Sequence, residues 1–211
     1  MFRDEWVRIF RTQWADKSAA IATAVPCAWA IYGDLRAGAL DLPRAAAAIH
    51  NLLLIGTLVL RRPPVRVTTI PAYWALAVLA PYWGLCVAGF GQRGVPLAPA
   101  WVTDAISMLS LAWQVYARFS LGRSIGLVPA QRAIITRGAY RLVRHPIYTG
   151  AFVAYLAFAL AAYSPLNVAL LTIGCTLFAI NGIVEERFLA PDRQYAAYLS
   201  RVRWRWIPGI A

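Results

Sequence analysis

The sequence predicts an all-α integral membrane protein of about six transmembrane helices, or five, with an N-terminal interfacial helix and a C-terminal helix on the cytoplasmic surface. Three observations predict it. Of the 211 residues, 60% are apolar and 14% charged, whereas a soluble domain carries roughly a quarter charged residues. Several apolar runs approach the ~20 residues a helix needs to cross a hydrocarbon core. The 21 Lys/Arg, which leave a net charge of +12, fall in short clusters between those runs. Such clusters read as topology signals and argue against a nucleic-acid partner, which would need one extended basic face. The chain is expected to be one structural domain in two parts: 1–119 with four spans, and 120–211 with a connector, two spans and a C-terminal segment.

In order, residues 2–17 mix Arg3, Arg8, Arg11 and Lys17 with Phe2, Trp6, Phe10 and Trp14 at near-helical spacing, which predicts an amphipathic helix lying in the interface. Acids in this start and the lack of a small-residue cleavage site predict no removable signal peptide. A short first span over 18–32 and a polar loop over 33–44 follow. The second span, 45–60, carries His50 and Asn51. An imidazole at that depth is either functional or satisfied by Asn51 or a backbone carbonyl, and it is not placed in the site. Residues 61–66 form a basic, proline-stiffened connection to a third span over 70–90.

Gly89 to Gly94 formally matches the dinucleotide fingerprint, but it follows a membrane-length run and has no βαβ setting, so it reads as a loop. The fourth span, 100–121, has Asp104 near its start, read as structural. The Gly- and Arg-rich connector 122–144 is expected to hold a small hairpin or an extended strand. The fifth span starts at Pro146 and ends near 163; Ser164-Pro165 turns the chain, and a sixth span covers 166–184. A surface helix ending at Pro208-Gly209 is expected in the remainder. Cys27, Cys86 and Cys175 each sit alone in an apolar run with no metal-like spacing, so no metal is expected.

Six spans place 18 of the 21 Lys/Arg on one side. By the positive-inside rule both termini are then cytoplasmic, in an inner or cytoplasmic membrane.

Chemistry concentrates between Gly138 and Gly150, where Tyr140, Arg141, Arg144, His145 and Tyr148 crowd the start of the fifth span. Pro146 suits the first helical position, with His145 as the cap. Free N–H groups of the first turn, the helix dipole and two arginines would make an anion-binding corner. Because the two last spans are equally long, Glu185 and Glu186 should return to face this corner. They would either pair with Arg144, Arg141 or Arg187, or share a zwitterionic or cationic ligand with it.

These residues carry a resemblance. Gly-Ala-Tyr-Arg-Leu-Val-Arg-His-Pro-Ile-Tyr-Thr-Gly, then Glu-Glu-Arg-Phe-Leu from Glu185, then Tyr195-x-x-Tyr198-x-x-Arg201-Val202 and a terminal Ile-Pro-Gly, resemble the isoprenylcysteine carboxyl methyltransferase family, integral membrane enzymes related to phospholipid methyltransferases. The resemblance spans about residues 120–210. It implies an S-adenosylmethionine-dependent methyltransferase, releasing S-adenosylhomocysteine, that acts on a lipophilic or small-molecule acceptor at the cytoplasmic face. It implies that Arg132, Ile134, Ile135, Tyr140, His145, Pro146, Ile147, Tyr148 and Glu185 line the cofactor site. Arg144, Glu185 and Glu186 are the expected catalytic residues: Arg144 orients an anionic nucleophile and the acids hold the donor. Asn181 is the expected substrate-binding residue. It stands where eukaryotic carboxyl methyltransferases of this family have the arginine that meets the substrate carboxylate. The family's usual Phe-Gly before the tail tyrosine is replaced by Ala190-Pro191-Asp192. The competing classes are a small transporter or scaffold, which should carry polar residues at mid-bilayer and broken spans, and a membrane reductase using NADPH.

Overall fold

The structure, a computed structural model, describes residues 25, 28–29, 31–33, 35–36, 42–62, 64–68, 70–126 and 129–210. The expected interfacial helix over 2–17, Cys27 and most of the expected first span lie outside them. The described residues between 25 and 36 are helical. Beyond them come α1 (Leu42–Leu60), α2 (Pro71–Phe90), α3 (Ala100–Leu121), α4 (Pro146–Ala161), α5 (Pro165–Leu189) and α6 (Arg193–Arg201). Two short strands, β1 (Arg66–Val67) and β2 (Ala130–Gln131), complete the order.

Proline sets three of these starts. Pro71, Pro146 and Pro165 each enter at the first turn, where the missing N–H costs nothing and φ is already helical. Ser164 caps α5 by accepting from Asn167 N, and Asp192 caps α6 by accepting from Gln194 N and Tyr195 N; each cap contributes about 1 kcal/mol. α3 stops at Gly122, whose φ of +57° is left-handed.

Two helix pairs frame the molecule, α3 on α4 and α2 on α5, with α1 laid against α3. At Gly150 α3 and α4 touch backbone to side chain: Ser110 Oγ donates to Gly150 O at 2.8 Å, and a Cβ on Gly150 would collide with Gln114. At the far end Asn167, fully buried, accepts from Gln92 N at 2.9 Å and donates to the carbonyls of Gln92 at 2.9 Å and Ala162 at 2.6 Å. One side chain thus ties the 91–99 loop to the α4–α5 turn.

Of the small hairpin and the extended strand expected in the connector, the strand is what the described residues show: β2 pairs antiparallel with β1, Arg66 opposite Gln131. Arg66 then donates to Phe188 O at 2.7 Å and Gln131 bonds Asp192, so both early connectors are fixed to the α5–α6 junction. The C-terminal helix ends at Arg201, not at Pro208, because the tail is used as an extended strap: Arg144 N donates to Trp204 O at 2.9 Å and His145 N to Arg205 O at 2.8 Å.

The expected spans are seen only in part: among the described residues one helix, α5, is long and apolar enough to cross a membrane. α4 has 16 residues, about 24 Å at 1.5 Å per residue, short of the ~30 Å hydrocarbon core. α3 is long enough at 22 residues, but it carries Thr103, Asp104, Ser107, Ser110, Gln114 and Arg118 on the face that lines the interior. The apolar stretches of α1 and α2 shorten to 48–57 and 71–87.

Candidate functional site

A cavity of about 600 Å³ opens between α1, α2, α3, α4 and α5 and is closed at one end by the connector and α6. Most of the residues expected at the site line it: Arg132, Ile134, Ile135, Tyr140, Arg144, His145, Ile147, Tyr148, Asn181 and Glu185. Pro146 and Glu186 do not. Pro146 is buried behind the wall, where its carbonyl accepts from Trp113 Nε1 at 2.7 Å.

The last turns of α5 return to the start of α4, as the equal spans implied. His145 Nε2 lies 3.2 Å from Glu186 Oε1, Arg144 Nη1 lies 3.3 Å from Glu186 Oε2, and Arg205 Nε donates to Oε2 at 3.1 Å. Of the pairings left open by the sequence, Arg144 is the one formed; Arg205, from the tail, was not anticipated. Three cationic or imidazole groups therefore surround one buried carboxylate. Arg144 also donates to Val202 O at 2.7 Å and Leu199 O at 3.2 Å, so its fork fastens the tail over α4.

Glu185 is different. Its side chain is 39% exposed and lines the cavity; Tyr148 Oη donates to Oε2 at 3.4 Å, and His145 Nδ1 lies 3.9 Å from the same oxygen. Asn181 Nδ2 donates in turn to Tyr148 Oη at 2.7 Å, and its Oδ1 is buried without a hydrogen-bond partner. His145 and Tyr148 stack with ring centroids 5.3 Å apart and planes 2° from parallel. Asn181, Tyr148 and Glu185 thus form one polar chain, with the unpartnered Asn181 Oδ1 at one end and the accessible Glu185 carboxylate at the other.

The expected anion corner is largely consumed. Pro146 has no N–H, the Tyr148 and Thr149 amides donate to His145 O at 3.0 and 3.1 Å, and the Arg144 and His145 amides serve the tail. Beside Arg144, the groups left to the cavity at this corner include two acceptors, the Glu185 carboxylate and Asn181 Oδ1.

The cap over the cavity is a packed cluster of Leu189, Tyr195, Tyr198 and Val202, with Ile134 and Tyr140 against it. Tyr198 Oη donates to Tyr140 O at 2.9 Å. Burial pushes the phenols of Tyr140 and Tyr195 upward and Glu185's charge pushes them further; burial raises Tyr198 in the same direction, against the opposing pull of Arg144. All three remain O–H donors at neutral pH.

Among the cavity-lining residues that sequence reasoning left out of the site are His50, Asp104, Gln114 and Arg118. Asp104, Gln114 and Arg118 share the α3 stripe with Ser107 and Leu111, a helical spacing legible in the sequence.

Fold and site together define a helical protein with a cavity under a strapped C-terminal tail, lined by an accessible carboxylate at one end and by apolar side chains beyond it. Residues 101–197 match the model of the phospholipid methyltransferase family. That match agrees with the motif resemblance to the isoprenylcysteine carboxyl methyltransferase-like membrane methyltransferases. It runs from the first turn of α3 into α6 and so contains Arg144, His145, Asn181, Glu185 and Glu186. Members of the family are membrane methyltransferases that generally use S-adenosylmethionine. No curated protein matches the chain.

Proposed function

We propose that the chain is an integral membrane methyltransferase that binds S-adenosylmethionine in this cavity and methylates a carboxylate, thiol or amine on a lipophilic or small-molecule acceptor at the cytoplasmic membrane face. The observation that carries the reading is the pairing of the accessible Glu185 carboxylate with the orphaned Asn181 Oδ1. An ammonium group satisfies both, and the cavity volume accommodates a nucleoside-bearing ligand with room for an acceptor.

S-adenosylmethionine, when bound, supplies a methyl group on a sulfonium whose departure leaves a neutral thioether. The residues therefore need not activate a leaving group; they hold two partners in line and keep water out. Glu185 and Asn181 would hold the ammonium, with Tyr148 keeping both in register. Arg132, Ile134, Ile135 and Tyr140 would wall the nucleoside. Arg144 would present its remaining N–H groups to an anionic acceptor. Glu186 would act as a positioning residue, holding His145, Arg144 and Arg205 from behind.

Embedding of α1 to α5 in a bilayer is supported by large apolar side chains turned outward on successive helices: Leu52, Leu79, Trp101, Leu109, Phe119, Leu156 and Ile173. Water in contact with that surface would be unfavourable by roughly 25 cal/mol per Å². The positive-inside rule applied to the basic clusters supports a cytoplasmic side for the cavity's capped end and both termini. The test is a titration of purified protein with radiolabelled S-adenosylmethionine against NADPH. Saturable binding of the first alone is the expected result, and NADPH binding alone, or neither, overturns the reading.

A further inference from the structure

At the connector end of α3 stands Arg118, 5% exposed and lining the same cavity as Glu185. Its Nη2 lies 3.4 Å from His50 Nε2. A guanidinium has donors only, so Nε2 is the acceptor and the His50 proton sits on Nδ1. Arg118 Nε is buried with no hydrogen-bond partner, and the guanidinium takes part in none of the ion pairs among the described residues. A buried cation with one imidazole for company is costly to maintain. The other charged residue of α3 on the cavity wall, Asp104, is 14 positions away, about 21 Å along the helix.

Between these two ends apolar side chains line the wall beside the Ser107, Ser110 and Gln114 stripe of α3. Leu111 on α3, Ala154 and Phe158 on α4, Leu54 on α1 and Leu85 on α2 all line it. An alkyl body fits such a corridor, and an anionic head fits its Arg118 end.

We propose that Arg118, oriented by His50, binds the anionic head, a carboxylate or a phosphate, of an amphiphilic acceptor whose apolar body lies along the α3–α4 wall toward Phe158. The word acceptor rests on the methyltransferase reading; the anion subsite does not. The bidentate fork of Arg118 suits either head group, with His50 fixing the fork's orientation.

The experiment uses the full chain in neutral phosphatidylcholine nanodiscs, with radiolabelled laurate corrected for uptake by empty discs. Unlabelled laurate and dodecyl phosphate should displace it at concentrations at least ten-fold below that of dodecanol, and the better of the two identifies the head group. Arg118→Gln should abolish the preference for anions while S-adenosylmethionine binding stays within two-fold of the wild type. A measurement on the unaltered protein guards against a variant that does not fold: laurate, and not dodecanol, should protect Arg118 from phenylglyoxal, mapped by mass spectrometry. Equal displacement by dodecanol, an anion preference that survives Arg118→Gln, or no protection of Arg118 overturns the proposal. So does loss of S-adenosylmethionine binding in Arg118→Gln, which would assign the guanidinium to the donor. If the wild type keeps the anion preference yet binds no S-adenosylmethionine, the methyltransferase reading fails and the anion subsite stands.

Discussion

Glu185 and Glu186 are consecutive residues of α5 in opposite environments: the Glu186 side chain is 7% exposed and held by Arg144, His145 and Arg205, whereas the Glu185 side chain is 39% exposed and turned to the cavity. A helix rotates about 100° per residue. That rotation sends one carboxylate into the joint between α4, α5 and the tail, and leaves the other for a guest.

Glu185→Gln tests the guest side. It keeps the shape and removes the charge, so the fold should persist with an unchanged melting temperature. A charge-assisted bond to an ammonium contributes about 1.5–3 kcal/mol, and partial exposure puts the effect at the lower end. S-adenosylmethionine affinity should fall roughly ten-fold, read by equilibrium binding; unchanged affinity would remove Glu185 from the site.

Glu186→Gln tests the joint. Arg144 and His145 would lose their counter-charge in a buried place, and breaking a buried pair costs about 3–5 kcal/mol. Since Arg205 is 44% exposed, a loss near the lower bound is expected. It should show as a lowered melting temperature and faster proteolysis after Val202, ahead of any effect on chemistry.

How far the sequence foretold this arrangement follows from the range of the interactions. The Pro146 start, the Ser164-Pro165 turn and the α3 limits are local, written in proline, a cap and apolar runs, and they are legible. The meeting of His145 with the acidic doublet was legible too, because equal span lengths return the chain to its own level. The tail strap was not. Its hydrogen bonds run between backbone groups of 144–145 and 204–205, and backbone amides leave no residue-type signature. The same holds for β1 with β2, a pairing of two two-residue strands with no alternation to read. Arg118 was overlooked because a basic residue at a span end reads as an anchor; only packing against α1 shows that it points inward.

The tyrosine cluster gives a pH prediction. Tyr140, Tyr195 and Tyr198 have phenol pKa values raised above the ordinary value of about 10, chiefly by burial. A raised folded-state pKa means that the protonated form is favoured by folding. Its contribution is fully present below the unfolded value and is lost as pH rises through the folded one. Stability should therefore be flat in these groups from neutrality to about pH 10 and decline above it, with α6 releasing first. An ultraviolet phenolate titration in which Tyr140, Tyr195 and Tyr198, removed one at a time as Phe, account for none of the late-ionising fraction would contradict this.

Asn167 supplies a prediction remote from the site. Its amide accepts from Gln92 N and donates to two carbonyls while fully buried. Asn167→Ala would leave buried donor and acceptor groups of the loop and turn unpaired, each at about 1–3 kcal/mol. Rearrangement and water entry would recover part of that, so a net loss of about 3 kcal/mol is expected. Asn167→Asp is the informative companion: it keeps the acceptor toward Gln92 N but turns the two donations into repulsions, so it should be no better than Ala. S-adenosylmethionine affinity should be unchanged in both variants at temperatures where they are folded, because Asn167 sits at the opposite end of α5 from Glu185. Weaker binding in a folded variant would mean that the α4–α5 turn helps set the separation of His145 and Glu185, and that the hairpin acts as one lever.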